Sequence, residues 1–360
     1  MTRLITGMAL AGAALLPVAA QAGDLETDFD RAFGNAARAP REVAVVRPPA
    51  AQVPVVQSPT PRPQVQAFAL PQQMARSYSS PLEARIAALA NQDHGRIGVA
   101  AIDLSSGRNL SVLGDQPFPL ASTSKIAIAA TFLAVVDAGR WRLSDQYPLM
   151  IPVPSRKYSS AVAPVRRGTM MSAQSLIELS LTRSDNHATD ALLAAVGGPD
   201  AVTRWVRSTG VAGFRLDRDI ATLVRDDGEF NPATSIDPRD SATPVAMTRL
   251  LAGLYGGQWL SPASRGVLIG AMERCETGRY RLRAQLPDNA WIAHKTGTLS
   301  NTASDVGIIR TPDGRAFAVA VSVTGQASRA ERDARIAELG RSIYDGYLAD
   351  GSSARSAAAR

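Results

Sequence analysis

The spacing of hydrophobic and polar residues predicts strands towards both ends of the chain and helices between them. The segment PLEARIAALANQ, from Pro81, has the period of an amphipathic helix. RIGVAAIDLSSGRNLSVLG then predicts two strands joined by a turn at Ser105-Ser106-Gly107. From Ser122 to about Met272 the patterns are mainly helical, with loops at IPVPSRKYSSAVAPVRRG and RDDGEFNPATSIDPRDSATP.

Strand patterns return in the last quarter of the chain, as WIAHKTG, ASDVGIIR and AFAVAVSV, and SRAERDARIAELGRSIYDGYLA predicts a final amphipathic helix. Because helices at both ends can cover a sheet built from both ends, we expect an α/β domain with a helical domain inserted into it. The predicted compact domain spans 81–349. Its α/β part comprises 81–119 and 272–349, and its helical part comprises 120–271.

The remaining segments predict targeting and extended structure. Residues 1–22 combine an early arginine, an apolar run and the ending Ala20-Gln21-Ala22, which is typical of a secretory signal cleaved near Ala22. Residues 23–80 are rich in Pro, Gln and Val and predict a disordered, extended linker, and 350–360 predict a disordered tail. The sequence thus predicts a periplasmic or secreted protein without stable membrane insertion.

Composition narrows the choice of partners and cofactors. The 360 residues are 45% hydrophobic and 20% charged, with a net charge of +7 spread along the chain. No basic stripe carries interleaved aromatic residues, which argues against nucleic acid as a partner. The single cysteine, Cys275, excludes an internal disulfide, and the three histidines form no credible metal cluster. We therefore expect no cofactor and no metal, and a monomer is the default expectation.

Three short motifs suggest serine chemistry. Ser122 and Lys125 are three residues apart where a hydrophobic helix begins, a pattern that alone is typical of a helix cap beside a solvated lysine. A serine hydroxyl needs a base to become a nucleophile, and a desolvated lysine near other cations can be that base. Ser184-Asp185-Asn186 follows between two helical patterns, and HKTGT, residues 294–298, lies on a predicted strand.

These motifs, in this order, resemble those of the class A serine β-lactamases and their penicillin-binding relatives. The resemblance covers about Pro81 to Ala349 and includes ETGRYRLRAQLP, DPRDSATPVAM and SDVGIIRTPDG. It implies an antiparallel sheet flanked by helices with an inserted helical domain, the fold shared with D,D-peptidases. That expectation agrees with the order of elements predicted above.

The resemblance also implies a role for each matching residue. Ser122 would be the acylated nucleophile, Lys125 its proton acceptor, and Ser184 the proton donor to the departing lactam nitrogen. The backbone N–H groups of Ser122 and Thr298 would form the oxyanion hole. The implied substrate-binding residues are Asn186, Asn231, Lys295, Thr296, Gly297, Thr298, Arg281 and Tyr158, of which Arg281 would be a second carboxylate-binding cation and Tyr158 an aromatic rim residue.

Three neighbouring residues receive minor predictions. Cys275 is expected to be a buried structural thiol, His294 a residue that tunes the site, and Asp185 a residue that holds its own loop.

The chain departs from the family pattern in the omega loop, which lies within the predicted loop RDDGEFNPATSIDPRDSATP. Counting back from Arg239-Asp240 places Asp227 where the family has its deacylating glutamate, and it predicts an ion pair between Arg225 and Asp240. Aspartate is one methylene shorter, and a misplacement of about 1 Å can cost ~100-fold in rate. Three possibilities stay open: the loop shifts so that Asp227 serves, Glu229 serves instead, or the protein acylates and stalls.

The function expected first is therefore a serine β-lactamase with a β-lactam substrate and a deacylation step that Asp227 impairs. One alternative is a D,D-peptidase-like hydrolase that acts on peptidoglycan peptides through Ser122, Lys125 and Ser184. The other is a binding protein for β-lactams or wall fragments that does not turn over.

Overall fold

A computed structural model describes residues 68–69, 78–91 and 94–358. The predicted signal segment 1–22 lies outside the described residues, as does most of the predicted linker 23–80. None of the helices in the described ranges is long and apolar enough to cross a membrane.

A five-stranded antiparallel sheet forms the centre of the α/β part, in the order β10-β11-β12-β2-β3. Its strands are β2 (Arg96–Asp103), β3 (Asn109–Val112), β10 (Trp291–Leu299), β11 (Thr302–Arg310) and β12 (Ala316–Thr324). The pairing of β12 with β2 joins the two ends of the domain, with Ala320 opposite Ala100. The sheet is thus built from two separated segments, as the hydrophobic pattern predicts.

The face of the sheet away from the inserted domain packs against helices α1 (Pro81–Ala90) and α9 (Arg329–Ala358). Ser80 caps α1 by accepting a hydrogen bond from the Glu83 amide. The prediction of a disordered tail from residue 350 is wrong as far as Ala358, because α9 continues to that residue. Three of the six residues of SARSAA are alanine, the residue with the highest helix propensity.

In the described residues, the inserted part contains seven α-helices and several short strands. The helices are α2 (Ser124–Asp137), α3 (Ala173–Thr182), α4 (Asn186–Ala195), α5 (Pro199–Ser208), α6 (Ile220–Arg225), α7 (Pro244–Tyr255) and α8 (Pro262–Glu273). Helix α2 is buried around nearly its whole circumference, which its apolar sequence IAIAATFL requires. It therefore forms the centre of a core that also includes one face of the sheet.

Two strand pairs differ from the sequence prediction. Residues 151–168, predicted as a loop, contribute to the antiparallel pair β5 (Gln146–Pro152) and β6 (Val165–Ser172). Within the predicted linker, β1 (Phe68–Ala69) pairs with β8 (Ser235–Ile236). Prolines interrupt both regions, and neither shows a clear alternation of hydrophobic and polar residues, so the sequence does not predict these strands.

The other short strands are β4 (Phe118–Pro119), β7 (Phe214–Arg215) and β9 (Ser241–Ala242), which form one antiparallel group with β9 in the middle. Strand β4 leads directly into the segment that carries Ser122.

Candidate active site

Ser122 lies in a tight 3₁₀ turn, Ala121–Thr123, that runs directly into α2. Ala121 has a φ of +46°, a left-handed conformation that is costly for a residue with a Cβ. The turn is fixed by the hydroxyl of Ser124, which donates to the Ala121 carbonyl at 2.8 Å, and by Thr123, which donates to the Leu120 carbonyl at 2.6 Å. The backbone thus presents a half-buried Ser122 at the beginning of a buried helix.

Gly297 allows β10 to approach this turn closely. A Cβ on Gly297 would lie 2.5 Å from Ser304 Oγ, 2.9 Å from the Leu120 carbonyl oxygen and 3.1 Å from the Ala121 Cβ. Any larger residue would push the strand away from the turn. Gly297 therefore brings the backbone near Ser122 close to the strand that carries Lys295.

Lys125 is fully buried in the first turn of α2, and its Nζ has three acceptors. These are the Ser184 carbonyl at 2.5 Å, the Ser184 hydroxyl at 3.2 Å and Asn186 Oδ1 at 2.7 Å. Burial lowers the pKa of Lys125 well below its usual value, and the positive charge of Lys295 lowers it further, while Asp185 and Asp190 oppose both effects. Such a lysine gives up its proton more readily than an exposed lysine does.

Ser184 joins α3 to α4 in a left-handed conformation, with a φ of +60°. The next residue, Asp185, caps α4 by accepting from the Ala188 amide at 2.7 Å, so it holds this loop as predicted. The Ser184 hydroxyl accepts hydrogen bonds from Lys125 at 3.2 Å and from Lys295 at 3.0 Å. Since these two donors use the oxygen's two lone pairs, its proton is left to point elsewhere.

Lys295 lies on β10 and is also fully buried. Its Nζ donates to the Ser184 hydroxyl and to the Thr296 carbonyl, each at 3.0 Å. Burial lowers its pKa to about 8, with a further lowering by Arg281, while Cys275 and Asp305 oppose these effects. Two buried lysines on either side of one hydroxyl form what we call the Lys–Ser–Lys cluster: Lys125, Ser184 and Lys295.

The hydroxyl of Ser122 is not hydrogen-bonded to Lys125 in the described part of the chain. The three contacts of Lys125 Nζ go to Ser184 and Asn186. The expected transfer of a proton between Ser122 and Lys125 therefore stays a prediction, which needs a small rotation of one side chain or a water between the two.

Thr296 and Thr298 continue along β10. Thr296 is hydrogen-bonded to Thr277 through their hydroxyls at 2.6 Å, and Thr277 lies 3.3 Å from the Cys275 sulfur. Cys275 is buried and free, as predicted. Gly278 fits closely over Thr296, since a Cβ there would lie 2.2 Å from the Thr296 methyl carbon. The segment ETG thus supports the strand from the side.

Arg281 is 1% exposed and is therefore not a surface arginine. Its Nε donates to Asp333 at 2.6 Å, and its Nη1 donates to the carbonyls of Gly297 and Ser304 at 3.0 and 3.1 Å. Its Nη2 donates to the Thr298 hydroxyl at 2.8 Å. Most of the guanidinium is thus committed to protein acceptors, which makes Arg281 a positioning residue for Thr298, and direct contact with a substrate carboxylate stays a prediction.

His294 and Asp305 form a buried pair on the neighbouring strands β10 and β11. His294 Nδ1 lies 2.8 Å from Asp305 Oδ1, and both side chains are fully buried. His294 Nε2 has no partner among the described residues. Asp305 also accepts a hydrogen bond from the Leu282 amide at 3.2 Å, so the pair fastens β11 to the segment after Arg281.

Asp227 contacts the turn between β10 and β11 instead of the Lys–Ser–Lys cluster. Its two carboxylate oxygens accept from the Ser300 amide at 3.0 and 2.9 Å. Asn231 accepts from the Asn301 side-chain amide at 2.9 Å. Burial raises the pKa of Asp227, while the amides of Ser300 and Gly228 oppose that effect. In the described residues neither Asp227 nor Asn231 is hydrogen-bonded to Ser122 or Lys125.

Glu229 is held by arginines of its own loop. Its Oε2 lies 2.5 Å from Arg239 Nη2 and 3.9 Å from Arg218 Nη1. This arrangement uses Glu229 to brace the loop.

The predicted ion pair between Arg225 and Asp240 is wrong. Arg225 pairs with the adjacent Asp226 at 2.8 Å, whereas Asp240 pairs with Arg218 at 2.5 Å and also accepts from the amides of Asp217 and Arg218. Arg225 ends α6 and also donates to the carbonyls of Ser159 and Ala161, so its side chain faces the 153–164 loop. The omega loop is therefore closed by Arg218 and Asp240.

Tyr158 lies beside the same loop with a φ of +56° and a 52% exposed side chain. Its amide donates to Asp226 at 2.8 Å, and its hydroxyl is 3.6 Å from a Cβ placed on Gly228. It is therefore exposed and adjacent to the omega loop, a position compatible with the predicted rim.

Asp190 is the charged residue near Lys125 that the motifs did not reveal. Its oxygens accept from the Ile220 and Ala221 amides at 2.7 and 2.9 Å, and burial raises its pKa to about 7. Asp190 lies one helical turn after Asn186. The sequence signal for it was a single acidic residue within the otherwise mostly apolar helical segment ATDALLAA.

Taken together, a serine at the start of a buried helix and a hydroxyl between two desolvated lysines can support acyl transfer by a serine hydrolase. Residues 81–347 match the beta-lactamase enzyme family, and the chain belongs to that family. It is 32% identical over 272 residues to β-lactamase CTX-M-8 of Citrobacter amalonaticus, covering 74% of this chain and 89% of that protein. It is 30% identical over 272 residues to a β-lactamase of Rhodobacter capsulatus, and the match covers 73% of this chain and 88% of that protein.

Solved structures extend the similarity to the fold. An ancestral class A β-lactamase (GNCA) is 38% identical to this chain and has a TM-score of 0.63. The match covers 74% of this chain and 99% of the ancestral protein. A β-lactamase of Chitinophaga pinensis is 28% identical and covers 74% and 97%, also with a TM-score of 0.63. The fold and the class A family expected from the motifs are confirmed.

Proposed function

We propose that this chain hydrolyses β-lactams through an acyl-enzyme on Ser122, with deacylation slower than acylation. The observation that carries the proposal is the Lys–Ser–Lys cluster, in which the Ser184 hydroxyl accepts from Lys125 and Lys295. Burial and the charge of Lys295 lower the pKa of Lys125, which favours the neutral amine that the proposed mechanism requires.

In the acylation step, neutral Lys125 takes the proton of Ser122 as its oxygen bonds to the lactam carbonyl carbon. The oxyanion is stabilised by the N–H groups of Ser122 and Thr298. As the carbon–nitrogen bond breaks, Ser184 donates its proton to the nitrogen and is reprotonated by Lys125. The proton lost by Ser122 thus ends on the lactam nitrogen, and Lys125 is neutral again.

Substrate orientation is assigned to the residues around this path. Lys295 and Thr296 bind the substrate carboxylate, Gly297 keeps the strand close to the turn, and Asn186 binds the side-chain amide. Asn186 already accepts from Lys125 at 2.7 Å, which leaves its NH₂ group free to donate to a substrate carbonyl.

For deacylation, a base must deprotonate a water beside the ester. Asp227 is the proposed base, because Glu229 is paired with Arg239. The Asp227 carboxylate must first leave the Ser300 amide, which together with its shorter side chain slows the step. The same observation favours a second candidate, a β-lactam-binding protein that stays acylated. A D,D-peptidase-like activity on peptidoglycan peptides uses the same acylation residues.

The test is the intact mass of the chain without residues 1–22, followed over time with excess benzylpenicillin while the lactam absorbance is recorded. We expect a one-penicillin adduct that accumulates and is then lost. Ser122→Ala should form no adduct, whereas Ser144→Ala, which changes an exposed serine between the first two motifs, should behave like the parent.

Failure of the parent to form any adduct would overturn the proposal. An adduct that never decays would favour the binding protein, and release of D-alanine from a D-Ala-D-Ala peptide would favour the peptidase. We further propose that the protein acts as a periplasmic or secreted monomer, which a fractionated cell extract and the mass in solution would test.

A further inference from the structure

The short strand β1 belongs to the segment that precedes the family domain, yet it pairs with the omega loop inside that domain. Phe68 lies opposite Ile236 and Ala69 opposite Ser235 in an antiparallel ladder. The family match begins only at Pro81. Strand β8, its partner, lies between Asp227 and Asp240. A segment outside the conventional domain thus contacts the loop that carries the proposed base.

The loop is also attached on both sides of β8, and within it Asp237 and Glu229 lie 3.6 and 3.9 Å from Arg218. At its far end, Asp240 pairs with Arg218, and both side chains are buried. At its near end, Asp227 and Asn231 contact the Ser300–Asn301 turn. Between these attachments the amide of Ser235 donates to the Asn231 carbonyl at 3.0 Å, a contact within the loop itself. Pairing with β1 therefore ties the middle of the loop to a different part of the chain.

A cavity of about 50 Å³ separates the loop from the body of the domain. It is lined on the loop side by Asp227, Glu229 and Ile236, and on the domain side by Arg96 and Ser300. A void of this kind leaves the loop without the close packing that fixes a protein interior. The position of Asp227 therefore depends on the loop's few attachments, of which β1 is one.

We propose that the loop edge Ser235–Ile236 is a docking surface for the chain's own N-terminal segment, and that the docked strand holds the loop where Asp227 stays on Ser300. This inference rests on the proposed function, because its consequence is a restrained deacylation step. An extended segment adds to an exposed strand edge through backbone hydrogen bonds, so it needs no particular side chains. When β1 leaves, the loop becomes free to move over the cavity and Asp227 can leave the Ser300 amide.

The test uses the chain without residues 1–22 and the double substitution Phe68→Pro with Ala69→Pro, because proline cannot donate to a ladder. The matched control is Val55→Pro with Val56→Pro, which adds two prolines to the same segment away from β1. Amide hydrogen exchange of residues 227–240 reports docking without relying on catalysis. Burst and decay of the benzylpenicillin adduct report acylation and deacylation separately.

We expect the double substitution at β1 to speed exchange in the loop and adduct decay by about fivefold each, the factor set by losing one ordinary hydrogen bond. Acylation should change less than twofold, and the control should match the parent. Unchanged exchange would show that β1 does not dock in solution. Faster exchange with unchanged or slower decay would overturn the restraint. If the parent forms no adduct, the proposed function fails while the exchange result still decides the docking.

Discussion

The Lys–Ser–Lys cluster and the omega loop are both attached to strand β10, but they are held in very different ways. The cluster sits on a buried helix, on the short link between two helices and on a sheet strand, and both of its lysines are fully buried. Asp227 sits on a loop held by ion pairs, a strand of two residues and two contacts to one turn. The comparison indicates that regular elements fix the acylation machinery, while local contacts that can break fix the deacylation base.

The largest effect that would break this comparison is expected at Lys125. Lys125→Ala removes the proton acceptor, and general-base catalysis is worth about 10²–10⁴-fold, so we expect acylation to fall about 10³-fold. The measurement is the rate of adduct formation in a stopped-flow or quenched mass experiment. Lys157→Ala, an exposed lysine in the 153–164 loop, is the matched control and should retain the parent rate within threefold. A similar loss in both variants would remove Lys125 from its assigned role.

The second largest effect concerns stability, since the loop depends on one buried ion pair. Asp240→Asn leaves Arg218 without its closest carboxylate, and removal of one partner from a buried pair costs about 3 kcal/mol. Glu178→Gln breaks an exposed pair with Arg274 and should cost less than about 1 kcal/mol. Urea unfolding of the two variants measures both numbers. Equal losses would show that the loop does not depend on Arg218 and Asp240.

The third effect is on the rate of deacylation and is expected at Asp227, the proposed base. Asp227→Asn should slow decay of the adduct about 100-fold and leave its formation within threefold, because only the second step needs this carboxylate. Asp227→Glu restores the missing methylene and should speed decay, as correcting a 1 Å misplacement is worth up to ~100-fold. Glu229→Gln is the comparison that decides between the two carboxylates. If it slows decay more than Asp227→Asn does, Glu229 is the base.

The smallest effect is on the pH dependence of acylation and is expected at Lys295 in the Lys–Ser–Lys cluster. Lys295 has a pKa lowered to about 8, so its positive charge is present below pH 8 and is lost as the pH rises through that value. Acylation by a substrate with a carboxylate should therefore fall by up to about tenfold per pH unit above pH 8. Lys295→Arg keeps its charge and should move that decline to higher pH, even if its rate is lower. A decline that stays in place would assign the titration to another group.

The sequence was sufficient to predict the sheet from both chain ends, the buried α2 and the three motifs, because each has a strong period or a fixed spacing. It was insufficient where side chains choose between partners. Counting from Arg239-Asp240 paired Asp240 with Arg225, but Arg225 ends α6 and faces the 153–164 loop, and Arg218 is the partner of Asp240. The left-handed Ser184 and the buried Arg281 likewise depend on elements distant in sequence. Strand β1 has two residues and no period to detect.

The buried contact between Arg281 and Asp333 makes the last helix part of the support for the acylation site. Asp333 is on α9, whereas Ser122, Lys125, Ser184 and Lys295 all precede that helix in the chain. A chain that ends at Thr324 therefore holds these four residues, yet lacks the carboxylate that Arg281 contacts while it donates to Thr298. We expect such a truncated chain to lose the support of Thr298, although no residue of the acylation machinery is removed.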